Sequence, residues 1–260
     1  MPERLQLSVL LLARDETRDL EQLLPRLAFA AEVVVVWDPR GDRATRAAAE
    51  RLGARVLEHA FAGFGAQRAF ALAHCTQDWV LWIDADERLT PESVPTLVRV
   101  TGSLPAGRTL VFARRATWFL GRRIRWCGWR DEWLPRLFSR NAARFDDALV
   151  HERVHVEGGT VVAGLGPFEL EHRSYETWDA CVQKMLRYSA ANADQAWRAG
   201  RRAGPLDVLV RPPLRFVRQY VLQFGILDGA HGVVLCGFAA AQVFLKYARL
   251  WWLTHRGGPE

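Results

Sequence analysis

Short, continuously apolar runs alternate with segments of helical spacing through the first third of the chain. The runs are Leu7–Leu12, Glu32–Trp37, Ala54–Leu57 and Trp79–Ile83. Their length, and the β-branched and aromatic residues within them, predict buried strands. Runs without polar alternation are typical of parallel strands covered on both faces. Between them, Leu20, Leu23, Leu24 and Leu27 recur at helical spacing. An Ala- and Arg-rich stretch runs to Leu52 with Gly53 as its cap, and Gly63 opens a further helix to about His74. The order β-α-β-α-β-α-β predicts an α/β fold built on an open, doubly wound, mostly parallel sheet.

Polar residues cluster where these runs end. Asp15 and Glu16 follow the first strand, Asp38 and Asp42 the second, and Asp84 and Asp86 the fourth. In open α/β sheets ligands bind outside the carboxyl ends of the strands, so three acidic ends at one edge mark a site there. Side chains alternate along a strand, so Asp84 and Asp86 at its mouth are expected to face the same way, about 7 Å apart. Such a pair suits Mg²⁺ or Mn²⁺, with the remaining positions left to water and phosphate. The alternative is a solvated acidic turn before the helix that Thr90-Pro91-Glu92 begins. The Gly63-x-Gly65-x-x-Arg68 stretch follows the third strand rather than the first and lacks a third glycine, so it is weak evidence for a dinucleotide fingerprint. A helix N-terminus carrying Gln67 and Arg68 can still meet a phosphate.

Taken together, Ser8-Val9-Leu10-Leu11-Leu12-Ala13-Arg14-Asp15-Glu16, Val33–Asp38, Gly63–Arg68 and Trp79–Arg88 resemble glycosyltransferase family 2. These are inverting sugar transferases of GT-A fold, and the bacterial lipopolysaccharide core-type glucosyltransferases are the more similar subgroup. The resemblance covers most of the chain. It implies a nucleotide-sugar donor and a divalent metal on the Asp84 and Asp86 pair. It also implies that Ala13, Glu16 and Asp38 line a nucleoside pocket, with Arg68 near the diphosphate and Asp84 at the ribose and diphosphate. Two stretches depart from the family pattern. Arg14-Asp15-Glu16 stands for basic-Asn-Glu, and Asp38-Pro39-Arg40-Gly41-Asp42 replaces a loop that normally carries serines.

After a helix to about Val100 and a strand over Leu110–Arg115, the segment from Trp118 to Phe138 is dense in Trp and Arg. Tryptophan faces stack on sugar rings and arginine reaches phosphates. Within the resemblance this is the acceptor side, with Trp129, Trp133 and Arg136 as contacts. Glu132 is the expected general base, ahead of Asp131 and Glu152. His151-Glu152-Arg153-Val154-His155 has the zinc-protease pattern, but flanking valines and Gly158-Gly159 predict a strand or loop. There the histidines would stand about 13 Å apart and could not share an ion. Related enzymes carry Val-His-Glu here, so the resemblance puts His151 and Glu152 at the acceptor site; a structural histidine is the alternative.

The composition changes after residue 172. A helix is expected from Tyr175 to about Gly200, and another starting at Arg211-Pro212-Pro213. An apolar stretch over Val233–Leu245, followed by Lys246, Arg249, Trp251, Trp252 and Arg256, is shorter than the roughly 20 residues of a spanning helix. Basic and aromatic residues beside apolar helices suit a membrane interface; a hairpin packed on its own domain or a dimer contact are alternatives. The expected organisation is a GT-A domain over 1–172, with nucleotide-sugar (1–100) and acceptor (101–172) halves, and a helical, membrane-associated appendage over 173–260.

The remaining bounds follow from composition. A net charge of +6 over 260 residues implies a polyanionic partner. Cys75, Cys127, Cys181 and Cys236 are too scattered for a zinc ribbon or a disulfide scaffold, and the first apolar run is too short for a secretory signal. The expected protein is thus cytoplasmic, peripheral on the inner face of the cytoplasmic membrane. The resemblance implies a nucleoside diphosphate sugar as donor, with UDP-sugars foremost, and, with the basic, aromatic C-terminus, a glycolipid acceptor such as a lipopolysaccharide core precursor. Two alternatives are a sugar transferase acting on polyprenyl phosphate and a non-enzymatic nucleic-acid-binding protein. Nucleic acid is not the expected partner, because that role would not need acids at three strand ends.

Overall fold

A computed structural model describes residues 4–104, 107, 109–129, 132–146, 154–156, 160–162 and 168–258. The first half follows the expected alternation: β1 (Leu5–Ala13), α1 (Thr17–Leu23), β2 (Ala30–Trp37), α2 (Arg43–Arg51), β3 (Arg55–Glu58), α3 (Phe64–His74) and β4 (Trp79–Trp82). The strands lie side by side in the order β3-β2-β1-β4, all parallel, with Leu10 opposite both Val34 and Trp82. Strand alternation explains the double winding. Leu7, Val9 and Leu11 of β1 pack with Leu20, Leu23 and Leu97 in one core. Leu10 faces the other way, into a second core with Ala71, Leu72 and Val80.

The Asp-x-Asp stretch is not on a strand. β4 stops at Trp82, and Asp84-Ala85-Asp86 forms a turn into a short strand, β5 (Glu87–Leu89). Strand alternation therefore does not govern where the two aspartates point. The chain continues through α4 (Ser93–Ser103), β6 (Thr109–Phe119), β7 (Arg122–Arg123), β8 (Glu132–Ser139), β9 (Ala143–Phe145), β10 (Val154–Val156), β11 (Thr160–Val162) and β12 (Glu169–Tyr175). β8 runs antiparallel to β4, pairing Leu137 with Leu81, and β12 runs antiparallel to β5, pairing His172 with Glu87. A parallel first half, antiparallel additions such as β8 and β12, and a parallel pairing of β11 with β6 give the mixed sheet expected of a GT-A α/β fold. β9 and β10 form a separate antiparallel pair.

Two compact units emerge: residues 1–115 with 133–172, and residues 116–132 with 173–260. The second unit is built on α5 (Trp178–Arg198), α6 (Pro205–Val217) and α7 (Gly229–Arg256). α5 begins at Trp178 rather than Tyr175, because Thr177 caps it by accepting from the Ala180 N–H. α6 begins at Pro205, six residues before the expected start, and Pro212 and Pro213 lie inside it. A π-helical turn, Arg218–Leu222, follows. Two prolines remove two rungs of the helical ladder, so this helix depends on its packing against α7. Buried Asp228 holds the two ends of the unit together by accepting from the backbone N–H groups of Arg125 and Trp126. Cys127 and Cys236 are free thiols, 3.8 Å apart in this core. α7 is longer than the apolar run alone suggested, and by length and composition the 225–256 stretch is sufficient to cross a membrane.

Candidate active site

The ends of β1 and β2 and the start of α3 enclose a cleft of about 300 Å³. Ala13, Glu16, Asp38 and Gln67 all line it, so the structure brings together four residues that are separated in sequence. Phe61 and Phe64 supply an aromatic wall, their rings packed edge to face at 4.9 Å. Glu16 accepts from the backbone N–H groups of Arg14 and Asp15. Burial raises its carboxyl above the usual range against those bonds. Asp38 is buried and gripped by Arg40, which donates from Nε and Nη2 at 3.0 and 2.8 Å. Those hydrogen bonds outweigh burial and lower its pKa.

The loop that lacks hydroxyls is thus closed by a guanidinium. It also packs tightly: a Cβ on Gly41 would sit 2.3 Å from the Arg14 carbonyl oxygen, so only glycine fits. Gln67 lines the cleft with its amide committed to His59. Its Nε2 donates to the His59 carbonyl at 2.9 Å, and its Oε1 meets the ring nitrogen Nδ1.

One step along α3, Arg68 links this cleft to the Asp84–Asp86 turn. Its guanidinium lies over Phe64 at 5.4 Å and over Trp82 at 4.0 Å, and its Nη2 donates to Asp84 Oδ1 at 3.0 Å. Trp82 Nε1 donates to the same oxygen at 2.9 Å. Arg136 lies over the Trp82 ring at 4.2 Å and donates to Asp84 Oδ2. Read from sequence as an acceptor-side residue, Arg136 stands instead in the cluster around Asp84. The antiparallel pairing of β8 with β4 puts it there.

Asp84 is a third exposed, Arg136 almost wholly buried and Glu87 wholly buried. Burial pushes the Asp84 carboxyl up, but Arg136 and Arg68 outweigh it and hold the group well below the carboxylate range. Burial raises the Glu87 carboxyl, with Asp84 adding to the effect and Arg136 opposing it. Burial lowers Arg68 despite the pull of Asp84, whereas Glu87 and Asp84 overcome burial to raise Arg136.

Asp86 stands beside a histidine. Its Oδ2 is 3.3 Å from His172 Nε2, a neighbour supplied by the β12–β5 pairing. Arg88 fixes the turn: its Nη1 donates to the carbonyls of Ala85 and Glu87, and its Nη2 to Asp19 and Gln22 on α1. No cluster of three or more His, Cys, Asp or Glu side chains with metal-binding geometry occurs among the described residues.

Glu132 opens β8, exposed, four residues before Arg136, and Trp133 beside it is about half exposed. Trp129 packs on Tyr175 at 5.1 Å within the second unit. Asp131, His151 and Glu152 lie outside the described residues. Sequence reasoning missed Trp82, Glu87 and His172. Glu87 adjoins the Asp-x-Asp pair, but its burial depends on a strand 49 residues away. His172 carries no local signal.

Comparison with known proteins decides the family. The model of glycosyl transferase family 2 matches residues 20–156, more than half of the chain. The chain belongs to this family. A lipopolysaccharide core biosynthesis glycosyltransferase, LpsC of Rhizobium meliloti, is 27% identical over 95% of this chain and 95% of its own. An uncharacterized glycosyltransferase of Rickettsia felis is 32% identical over 94% of this chain and 89% of its own. Among solved structures, glucosyl-3-phosphoglycerate synthase from Mycobacterium tuberculosis, in complex with Mn²⁺, UDP and glucosyl-3-phosphoglycerate, matches at 26% identity. That match covers 44% of each chain, with a TM-score of 0.34. S. aureus TarS residues 1–349 match at 12% identity over 97% of this chain and 92% of that one, with a TM-score of 0.44. The glycosyl transferase family 2 match takes in Asp38, Arg68, Asp84, Asp86, Glu132 and Arg136; Ala13, Glu16 and His172 fall outside it.

Proposed function

We propose that this family 2 glycosyltransferase moves a sugar, with inversion, from a nucleoside diphosphate donor to a hydroxyl of a glycolipid of the lipopolysaccharide core type. One observation carries the donor half of this reading. Arg68 joins an aromatic, carboxylate-lined cleft to the Asp84–Asp86 turn, at the strand ends where α/β sheets bind ligands. The cleft suits a base and ribose, with Phe61 and Phe64 for the ring and Glu16 and Asp38 as acceptors for N–H and O–H groups. The diphosphate would then lie by Arg68. The acceptor half rests on the similarity to LpsC.

The donor set fits a hard divalent cation. Asp86 is an oxygen ligand, a third exposed, with His172 beside it. A cation such as Mg²⁺ needs only one or two carboxylates when phosphates and water complete its shell. Of the two aspartates, Asp86 would hold the metal. Asp84, with both oxygens accepting from arginines and Trp82, would fix the arginines at the diphosphate. When bound, Mg²⁺ or Mn²⁺ would neutralise the departing diphosphate. Glu132 takes the proton from the acceptor hydroxyl as it attacks the anomeric carbon. By strand alternation within β8, it shares the side of the strand that carries Arg136.

A second reading keeps the chemistry and changes the acceptor to a polyprenyl phosphate; the length and apolar character of α7 favour it. One experiment separates the readings. Thermal shift against a panel of nucleotide sugars, with Mg²⁺ or Mn²⁺, selects the donor. Transfer of labelled sugar is then assayed to a lipopolysaccharide core precursor and to a polyprenyl phosphate. The proposal expects a UDP-sugar and the core precursor. Stabilisation by no nucleotide sugar would overturn it.

A further inference from the structure

α6 carries an apolar stripe that the protein does not cover. None of its residues is buried, and large apolar side chains stand well exposed along it: Leu206 is 74% exposed, Leu209 68% and Leu214 60%. Spacings of three and four residues carry this stripe on through Val217 and Val221, so that ten large apolar side chains between 206 and 227 stand exposed. Buried Gln219 donates to the Cys127 carbonyl at 3.0 Å, and Asp207 accepts from the Gly204 N–H and from Arg211. An apolar patch of this length is not left to water without a partner.

The charges around it say which partner. Arg201 and Arg202 are exposed before the stripe begins, Arg211 and Arg218 lie along it, and Arg122 and Arg125 are exposed beside its far end. At that far end the Trp126 ring packs on Phe224 at 5.7 Å, and the Arg125 N–H is held by Asp228. The only acids between 201 and 233 are Asp207, engaged as above, and Asp228, which is buried. A second copy docked through the same stripe would meet it with identical arginines and no exposed acid. Apolar side chains flanked by arginines, with no exposed acid among them, match acyl chains beneath anionic headgroups.

We propose that the outer face of α6 and the turn after it, residues 206–227, lie in the interface of an anionic bilayer. They hold the enzyme on the membrane without spanning it. This inference rests on the reading that the acceptor is a membrane glycolipid, and it names the surface that reaches it.

Vesicle flotation of the full chain tests it. Wild-type protein should float with phosphatidylcholine vesicles containing roughly one third phosphatidylglycerol. It should float at least about tenfold less with phosphatidylcholine alone, since each basic residue near an anionic surface is worth about fivefold. The double variant Leu209→Glu/Leu214→Glu, and a milder Leu209→Gln/Leu214→Gln pair, should lose binding to the anionic vesicles by about tenfold or more. Both pairs change exposed positions and should keep the wild-type melting temperature and UDP binding. Alkaline carbonate should strip the wild type from vesicles.

Unchanged flotation of both variants, or no flotation of the wild type, overturns the inference. So does resistance to carbonate, which would mean that α7 spans. A wild-type dimer dissociated by the substitutions, without vesicle binding, gives the stripe to a second copy instead. Donor binding is read separately: its absence in every protein counts against the proposed function, whereas its persistence without vesicle binding counts against this surface alone.

Discussion

Arg136 Nη2 donates to Asp84 Oδ2 at 3.0 Å and to Glu87 Oε1 at 2.6 Å, so one nearly buried guanidinium separates two carboxylates that would otherwise repel. Removing one partner of a buried ion pair typically costs about 3–5 kcal/mol, because the other charge stays behind unpaired. Arg136→Met should therefore lower unfolding stability by about that amount in urea denaturation. Adding Glu87→Gln should recover part of the loss. A single variant as stable as wild type would show that the cluster tolerates the bare carboxylates.

The same cluster sets an acid limit on stability. Asp84 and Asp38 have folded-state pKa values below their ordinary 3.8. Carboxyls depressed by folding stabilise the protein above their unfolded pKa and lose that contribution as pH falls through the folded value. Glu16 has the opposite sign: its raised pKa makes ionisation in the folded state a cost, present once pH exceeds that value. Urea midpoints should stay high at mildly acidic pH and fall as pH drops below about 3.8. Asp84→Asn should start lower at neutral pH and show a shallower acid limb. An acid limb as steep as that of wild type would assign the transition to other carboxyls.

Asp86 and Asp84 should separate in calorimetry. Asp86→Ala should reduce UDP affinity in Mn²⁺ to the metal-free level and abolish transfer, with the fold intact. Identical UDP affinities for variant and wild type, with and without Mn²⁺, would remove Asp86 from the metal site.

General-base catalysis contributes about 10²–10⁴-fold, so Glu132→Gln should lose turnover on that scale while UDP binding changes little. Near-normal turnover in Glu132→Gln, with loss in Asp131→Asn or Glu152→Gln, moves the base to that residue.

The nucleotide half was legible because local signals and tertiary structure agree there. Continuous apolar runs became β1, β2, β3 and β4 in the expected order, and Glu16 and Asp38, acids that end β1 and β2, line one cleft. The parts that escaped depend on pairing between distant strands. Nothing near Arg136 or His172 in sequence tells which carboxylate each will meet; β8 on β4 and β12 on β5 decide it. The start of α6 was misplaced for a local reason. Pro212-Pro213 reads as a first turn, but Pro205 also starts a helix, and Asp207 completes that start by accepting from the Gly204 N–H. The packing of α6 against α7 then carries the helix through the later prolines.

Arg88 has a thermodynamic consequence. It spans from α1 to the Asp84–Asp86 turn through four hydrogen bonds, and it is 1% exposed. The turn is therefore ordered during folding, not when ligand arrives, and the entropy of ordering it is absent from the binding equilibrium. Nucleotide association at this edge should then show a small heat-capacity change, and a rate set by electrostatic encounter instead of loop closure. Lengthening the turn, or replacing Arg88 with methionine, would move that entropy back into the binding step and slow it.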